Sequence, residues 1–224
     1  MRDTRKDPSP RSRVGVRPLP GEAYDDPATG GAAPGSGLGD RLAFLLGFVR
    51  DPAGVGSVVP SSHRLERRLV REARIADART IVELGPGTGG TTRAFLRAMT
   101  PQARLLAIEL DPVFHRRLAD AVADPRLFAE CASAERIGEL LAARRLPAPD
   151  AIVSGIPFST MPQDVGERIA AGVASVLAPG GRFVAYQVRP RVADFATPHL
   201  GPPRFAWEWW NVPPMRVFTW VKPA

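Results

Sequence analysis

Ile81-Val-Glu-Leu-Gly-Pro-Gly-Thr-Gly-Gly90 is the stretch on which the fold turns. An apolar strand runs into glycines at 85, 87 and 89, and a helix-forming segment follows. Without Cβ atoms the backbone can turn sharply there and pass close to a ligand. The glycines at 85, 87 and 89 are spaced GxGxG. Glu83 stands two residues ahead of the first glycine. A carboxylate at that place suits an ammonium, directly or through water, and is unfavourable beside a pyrophosphate. Working outward, Leu105-Leu-Ala-Ile-Glu-Leu-Asp111 is a second apolar strand ending in acid. A carboxylate about 20 residues beyond the glycines suits the hydroxyls of a ribose. Glu109 is the residue assigned to that task. Asp111 precedes Pro112 and is expected to cap the next helix.

The flanks alternate. A helix is expected from Ser61 or Ser62 to about Ala76. Strands are expected at 79–84, 104–109, 127–131, 150–154 and 181–188, with helices at 89–99, 112–122, 134–144 and 163–177 between them. Repeated β-α-β spacing implies a parallel sheet whose right-handed crossovers bring the strands' carboxyl ends to one edge. The end differs. Phe205-Ala-Trp-Glu-Trp-Trp210 and Met215-Arg-Val-Phe-Thr-Trp220, joined by Asn211-Val-Pro-Pro214, read as a terminal hairpin.

The 224 residues accommodate one domain and a tail, and 44% apolar residues suffice for a core. Residues 1–37, basic and rich in Pro and Gly, read as disordered. Leu38, Leu42, Leu45, Leu46 and Val49 form one apolar helical stripe. The 38–50 helix either packs on the domain, lies on a membrane surface or covers the site, and 38–60 is set apart as helix and connector. The enzyme domain is placed at 61–224. A net charge of +7 favours an anionic partner, either nucleic acid or a membrane face. The N-terminus shows no secretory pattern and no apolar run approaches the length of a span, so a cytoplasmic protein is expected. The single cysteine, Cys131, excludes a disulfide framework within the chain and is expected to be a small buried residue. No His/Cys cluster has metal spacing, so no metal is expected.

Glu83, the three glycines and the 105–111 strand resemble motifs I and II of class I S-adenosylmethionine (SAM)-dependent methyltransferases. A NAD-type Rossmann enzyme and a chance glycine turn are the alternatives. The resemblance implies an α/β, Rossmann-like, mostly parallel seven-stranded sheet with helices on both faces and a C-terminal antiparallel hairpin. It implies SAM as methyl donor, with S-adenosylhomocysteine as product. Carried over by position, the cofactor residues are Glu83, Gly85, Gly87, Thr88, Gly89, Glu109 and Leu110, then Ala132 and Ser133 near the adenine, and Ser154 at the fourth strand's end. Many members have an acid after the third strand; here the stretch is Glu130-Cys-Ala-Ser-Ala134, with Glu130 as an alternative adenine partner that strand alternation turns away.

Strand 4 ends in Ala151-Ile-Val-Ser-Gly-Ile-Pro-Phe158. The N6-adenine and rRNA adenine dimethylases carry Asn or Asp here, followed by proline and an aromatic. In this chain the position is Gly155, which has no side-chain acceptor, so nucleic acid is disfavoured as substrate. Pro60-Ser61-Ser62, residues 83–89 and 107–112, Ser154-Gly-Ile-Pro-Phe158 with Met161-Pro162, and Asn211-Val-Pro-Pro214 are together similar to the soluble-type bacterial phospholipid N-methyltransferases, over about residues 40–222. That resemblance implies methylation of phosphatidylethanolamine through mono- and dimethyl forms to phosphatidylcholine. It also implies peripheral binding to the anionic inner membrane face, here through 38–50. Tyr186, Ser154 and Gly155 are the catalytic candidates. Phe158, Tyr186, Arg189 and His63 are the substrate candidates, with Arg191 beside Arg189 for a lipid phosphate. Core packing competes for Phe158 and Tyr186. His115 is expected at the surface and His199 in a loop. The rival readings are an rRNA adenine dimethylase, a small-molecule methyltransferase, and a SAM-binding membrane-associated protein without turnover. Oligomeric state is left open.

Overall fold

The computed structural model describes residues 62–211 and 213–224. The expectations for the tail and for the 38–50 helix lie outside the described residues.

Among the described residues seven strands form one sheet: β1 (Thr80–Leu84), β2 (Arg104–Glu109), β3 (Leu127–Cys131), β4 (Ala151–Ser154), β5 (Arg182–Gln187), β6 (Arg204–Glu208) and β7 (Met215–Val221), in the order β3-β2-β1-β4-β5-β7-β6. The first five are parallel. β7 runs antiparallel between β5 and β6. The central strands are covered on both faces, which is why Thr80-Ile-Val-Glu-Leu84 and Ala151-Ile-Val-Ser154 are buried throughout and do not alternate.

The helices are α1 (His63–Glu72), α2 (Gly90–Ala98), α3 (Pro112–Ala121), α4 (Ile137–Ala143), α5 (Gln163–Val176) and α6 (Val192–Leu200). Leu65 and Leu69 of α1 and Phe95 and Leu96 of α2 join Ile81, Leu105, Val153 and Val217 in one core. Ile137 and Leu140 of α4, Ile169 and Val173 of α5 and Phe195 of α6 join Val82, Leu106, Ile152, Phe183 and Trp220 in the other. Two apolar layers thus sandwich the sheet. Ser62 caps α1, its Oγ accepting from Leu65 N at 3.2 Å. Asp111 caps α3 through Val113 N at 2.7 Å, as expected from its place before Pro112.

Several expectations change. α1 ends at Glu72, short of Ala76, and Arg74 soon after adopts the left-handed region at φ 52°. The segment after β5 forms α6 with Pro198 inside it, so His199 sits on an exposed helical position and not in a loop. Cys131 is exposed, because it ends β3, which is an edge strand of the sheet among the described residues. His115 is half-buried, and its Nε2 is buried with no hydrogen-bond partner among the described residues.

The chain builds β1, β2 and β3 to one side and then crosses to β4 on the other side of β1. That reversal between β1 and β4 leaves a crevice beyond their carboxyl ends, the usual ligand position in such sheets.

Candidate active site

The crevice is built from loops that the sheet register aligns. Gly85 N donates to Ile108 O at 2.9 Å, and Gly155 N donates to Leu84 O at 2.9 Å, so the glycine turn and the end of β4 are held side by side. Gly85, Gly87 and Gly89 have φ of 72°, 54° and 77°. That left-handed backbone is open to glycine and strained for other residues. A Cβ built on Gly87 meets nothing within 4 Å, so the turn presents bare backbone to an open side. Thr88 is exposed on the same turn, and Arg93 Nη1 donates to the carbonyls of Thr88 and Gly89, both at 3.1 Å.

Two acids flank this cradle. Glu83 is 2% exposed and accepts from the hydroxyls of Thr91 and Thr92, the latter at 2.6 Å. Burial is the main cause that pushes its carboxyl up to about 7, and the two hydroxyls pull partly the other way. Glu109 is 6% exposed; its Oε2 accepts from Gly87 N at 2.9 Å and its Oε1 from Asp111 N at 3.0 Å. Desolvation raises its pKa too, opposed by those backbone donors. The hydrogen-bond partners of both acids are neutral, so a ligand bringing an ammonium to one end and hydroxyl donors to the other fits the donor set.

The remaining cofactor candidates line the neighbouring strand ends. Leu110 follows Glu109 directly, and Ala132 N donates to Glu109 O at 3.0 Å. Ser133 caps the short turn Ala134–Arg136, its hydroxyl bonded to Glu135. Glu130 is paired with Arg144.

At the β4 end, Ser154 is fully buried, and its Oγ accepts from Ile156 N at 3.3 Å. A Cβ on Gly155 would overlap the Tyr186 hydroxyl and lie 2.8 Å from Tyr186 Cζ. The tyrosine thus occupies the volume a side chain at 155 would need, and glycine is a steric requirement of Tyr186. Gln187, beside it on β5, donates through Nε2 to Ile156 O and fixes the loop after Gly155.

The substrate candidates separate. Phe158 is fully buried and rings with Phe195 at 5.9 Å, which makes it a core residue and corrects its assignment to substrate. Arg189 is exposed just beyond β5. His63 is 91% exposed at the start of α1, with Nδ1 3.2 Å from Glu66 Oε2. Thr91, Thr92 and Gln187 were missed. Gln187 was visible in the sequence as the polar residue next to Tyr186 near the end of the expected strand, whereas nothing local distinguished the two threonines from ordinary helix-start residues.

Known proteins resemble this chain in sequence and in fold. Over 181 residues the chain is 32% identical to an ornithine lipid N-methyltransferase of Singulisphaera acidiphila, spanning 80% of this chain and 94% of that protein. A ribosomal RNA small subunit methyltransferase A of Thermobifida fusca is 36% identical over 131 residues, 54% of this chain and 39% of its own length. Among solved structures, a precorrin-6y C5,15-methyltransferase of Geobacter metallireducens superposes with a TM-score of 0.59 at 16% identity, covering 74% of this chain and 93% of that one, which shows the shared fold. No family model matches the sequence. The chain belongs to the lipid N-methyltransferases of the class I fold, with S-adenosyl-L-methionine as methyl donor.

Proposed function

We propose that this protein methylates the primary amine of phosphatidylethanolamine, and then its mono- and dimethyl forms, at a membrane surface. The observation that carries the reading is the Gly155–Tyr186 pair. A side-chain amide at 155 would accept from a planar aromatic amine; here a phenol stands in its place. A hydroxyl and a ring suit an aliphatic amine that becomes progressively more methylated, because the ring face attracts a quaternary ammonium that can no longer donate a hydrogen bond.

The donor supplies a methyl group already activated by its sulfonium charge. In this reading Glu83 holds its ammonium, and Gly85, Gly87, Thr88 and Gly89 let the chain approach closely. Glu109 and Leu110 meet its ribose, and Ala132 and Ser133 its adenine. Ser154, Gly155 and Tyr186 then align the amine in a site closed to water. The amine must first lose its proton. An alkylammonium releases it near pH 10.4 in water, and desolvation plus a neighbouring positive charge lower that value, so no strong general base is required. In this reading Arg189 and His63 meet the head-group phosphate, the first as a permanent cation. Peripheral attachment at the cytoplasmic membrane face, aided by 38–50, completes the proposal; among the described residues no helix is long and apolar enough to cross a membrane.

The similarity to the Singulisphaera enzyme favours a second reading within the same chemistry, in which the amine belongs to an ornithine lipid. Labelled SAM with vesicles of phosphatidylethanolamine, vesicles containing ornithine lipid, and undermethylated rRNA separates the cases. Label in phosphatidylethanolamine is expected. Label confined to ornithine lipid replaces the head group, and label confined to rRNA ends the lipid reading.

A further inference from the structure

The hairpin carries a surface that the site does not use. Phe205, Trp209 and Trp210 are 59%, 64% and 71% exposed, an unusual set of large aromatic side chains to leave in water. Guanidinium groups lie against this cluster: Arg216 stands 4.2 Å over the Trp207 ring and Arg64 4.8 Å over the Trp210 ring. Within residues 204–216 the sole acid is Glu208, and it is withdrawn, 5% exposed and bonded to Arg68 at 2.8 Å. The exposed side of the hairpin is therefore aromatic and cationic, with no carboxylate of its own.

Its place in the fold matters as much as its chemistry. Gln187, the last residue of β5, pairs with Arg216 at the start of β7. The turn joining β6 to β7 therefore projects from the edge of the sheet where the strands open onto the crevice. Asn211 in that turn accepts from Ser62 N at 3.3 Å, which brings the chain entering α1 to the same rim.

We infer that the tip of the β6–β7 hairpin, led by Trp209 and Trp210 with Arg64 and Arg216, docks on the head-group layer of an anionic phospholipid bilayer and so turns the crevice toward its lipid. The inference rests on the lipid-amine reading above and adds an attachment surface separate from 38–50. Indoles settle at the membrane–water boundary, where the ring meets acyl carbon and the N–H meets the head groups, and arginine adds attraction to anionic lipid. Single-stranded nucleic acid also binds aromatic, basic surfaces, but it stacks on open ring faces. Here Trp207 is stacked on Trp209 with centroids 4.7 Å apart and also lies under Arg216, and Arg64 covers one face of Trp210, so a base would find no open face on Trp207 and a single one on each of Trp209 and Trp210.

The test uses the full chain and vesicles of phosphatidylcholine with and without phosphatidylglycerol. Wild type is expected to co-sediment more strongly with the anionic vesicles. W209S/W210S is expected to lose roughly tenfold in partition to them, with SAM affinity unchanged and methyl transfer to detergent-dispersed lipid amine retained. Brominated phospholipids provide an independent reading that does not depend on how the serine variant folds. They should quench wild-type tryptophan fluorescence, and W209F/W210F should lose most of that quenching. Equal vesicle partition of wild type and the serine variant, absence of quenching, or loss of single-stranded RNA binding with vesicle partition intact would each overturn the docking surface. Failure of wild type to methylate any detergent-dispersed lipid amine would instead strike the functional reading, and the vesicle result would still judge the surface.

Discussion

The glycine turn and the β6–β7 hairpin lie on one rim of the sheet but are held there by different means. Glu83, the glycines, Thr91 and Thr92 are close in sequence, and the side-chain hydrogen bonds of Glu83 stay within the strand-turn-helix unit, while the turn reaches only to the adjacent strand β2, through Gly85 N to Ile108 O and Gly87 N to Glu109. The hairpin is tied down from afar, by Arg68 to Glu208 and by Ser62 to Asn211, contacts separated by 140 and 149 residues. A local unit can keep its geometry while the rim around it changes. The rim has no such independence, and the β4 end, where Gly155 meets Tyr186, shares its dependence on distant partners.

That contrast can be broken at several points. The largest effect is expected from Gly155→Asn, which drives a side chain into Tyr186. Methyl transfer should fall about a thousandfold while SAM affinity, measured by calorimetry, changes far less, because alignment of the amine is lost and the cradle is not. Retained turnover would show that the tyrosine can move aside. Next, Arg68→Met leaves the Glu208 carboxylate buried without its cation. Unfolding in denaturant should show a loss of about 2–3 kcal/mol, again with little change in the cradle's affinity for SAM. A large loss of SAM affinity there would mean the two regions are not separate.

Glu83 sharpens the comparison through pH. Its carboxyl, raised to about 7 by burial, is mostly protonated in the free protein below that pH, so SAM affinity should fall as pH drops from about 8 to 6. Glu83→Gln should cost about tenfold in affinity at pH 8 and abolish this pH dependence. The stability sign is the reverse. A carboxyl whose folded value lies above its unfolded value contributes stability that is present below about 4.5 and is lost as pH rises through about 7. The melting temperature of Glu83→Gln without ligand should therefore gain on wild type between about pH 5 and pH 8. The smallest effect is expected for Asn211→Ala, which removes the acceptor for Ser62 N and should lower stability by about 1 kcal/mol with SAM binding intact.

Much of the fold was legible because the chain's periodicity changes where its structure does. Apolar runs of strand length alternate with helical stripes from β1 through α5, and Asp111 before Pro112 marked a helix start that the structure keeps. α6 was missed because Pro198 breaks the ordinary helical signal, although a helix of that length tolerates one missing donor when its apolar face is packed. Phe158 illustrates the limit at the site. Its position after Gly155-Ile-Pro suggested a ring facing the crevice, but burial against Phe195 on a helix that the sequence did not announce takes it into the core. Cys131 failed in the opposite direction: a small apolar residue closing a strand looks buried until the strand proves to be an edge.

The sequence by itself determined the cradle, because glycines at left-handed positions and acids at two strand ends act on backbone only a few residues away or across one adjacent strand pair. Only the tertiary structure decided that Tyr186 fills the space beside Gly155 and that Ser62 meets Asn211. Those neighbours are made by strand order and by the packing of α1 on the sheet, and no spacing along the chain encodes which distant side chain will arrive in a given volume.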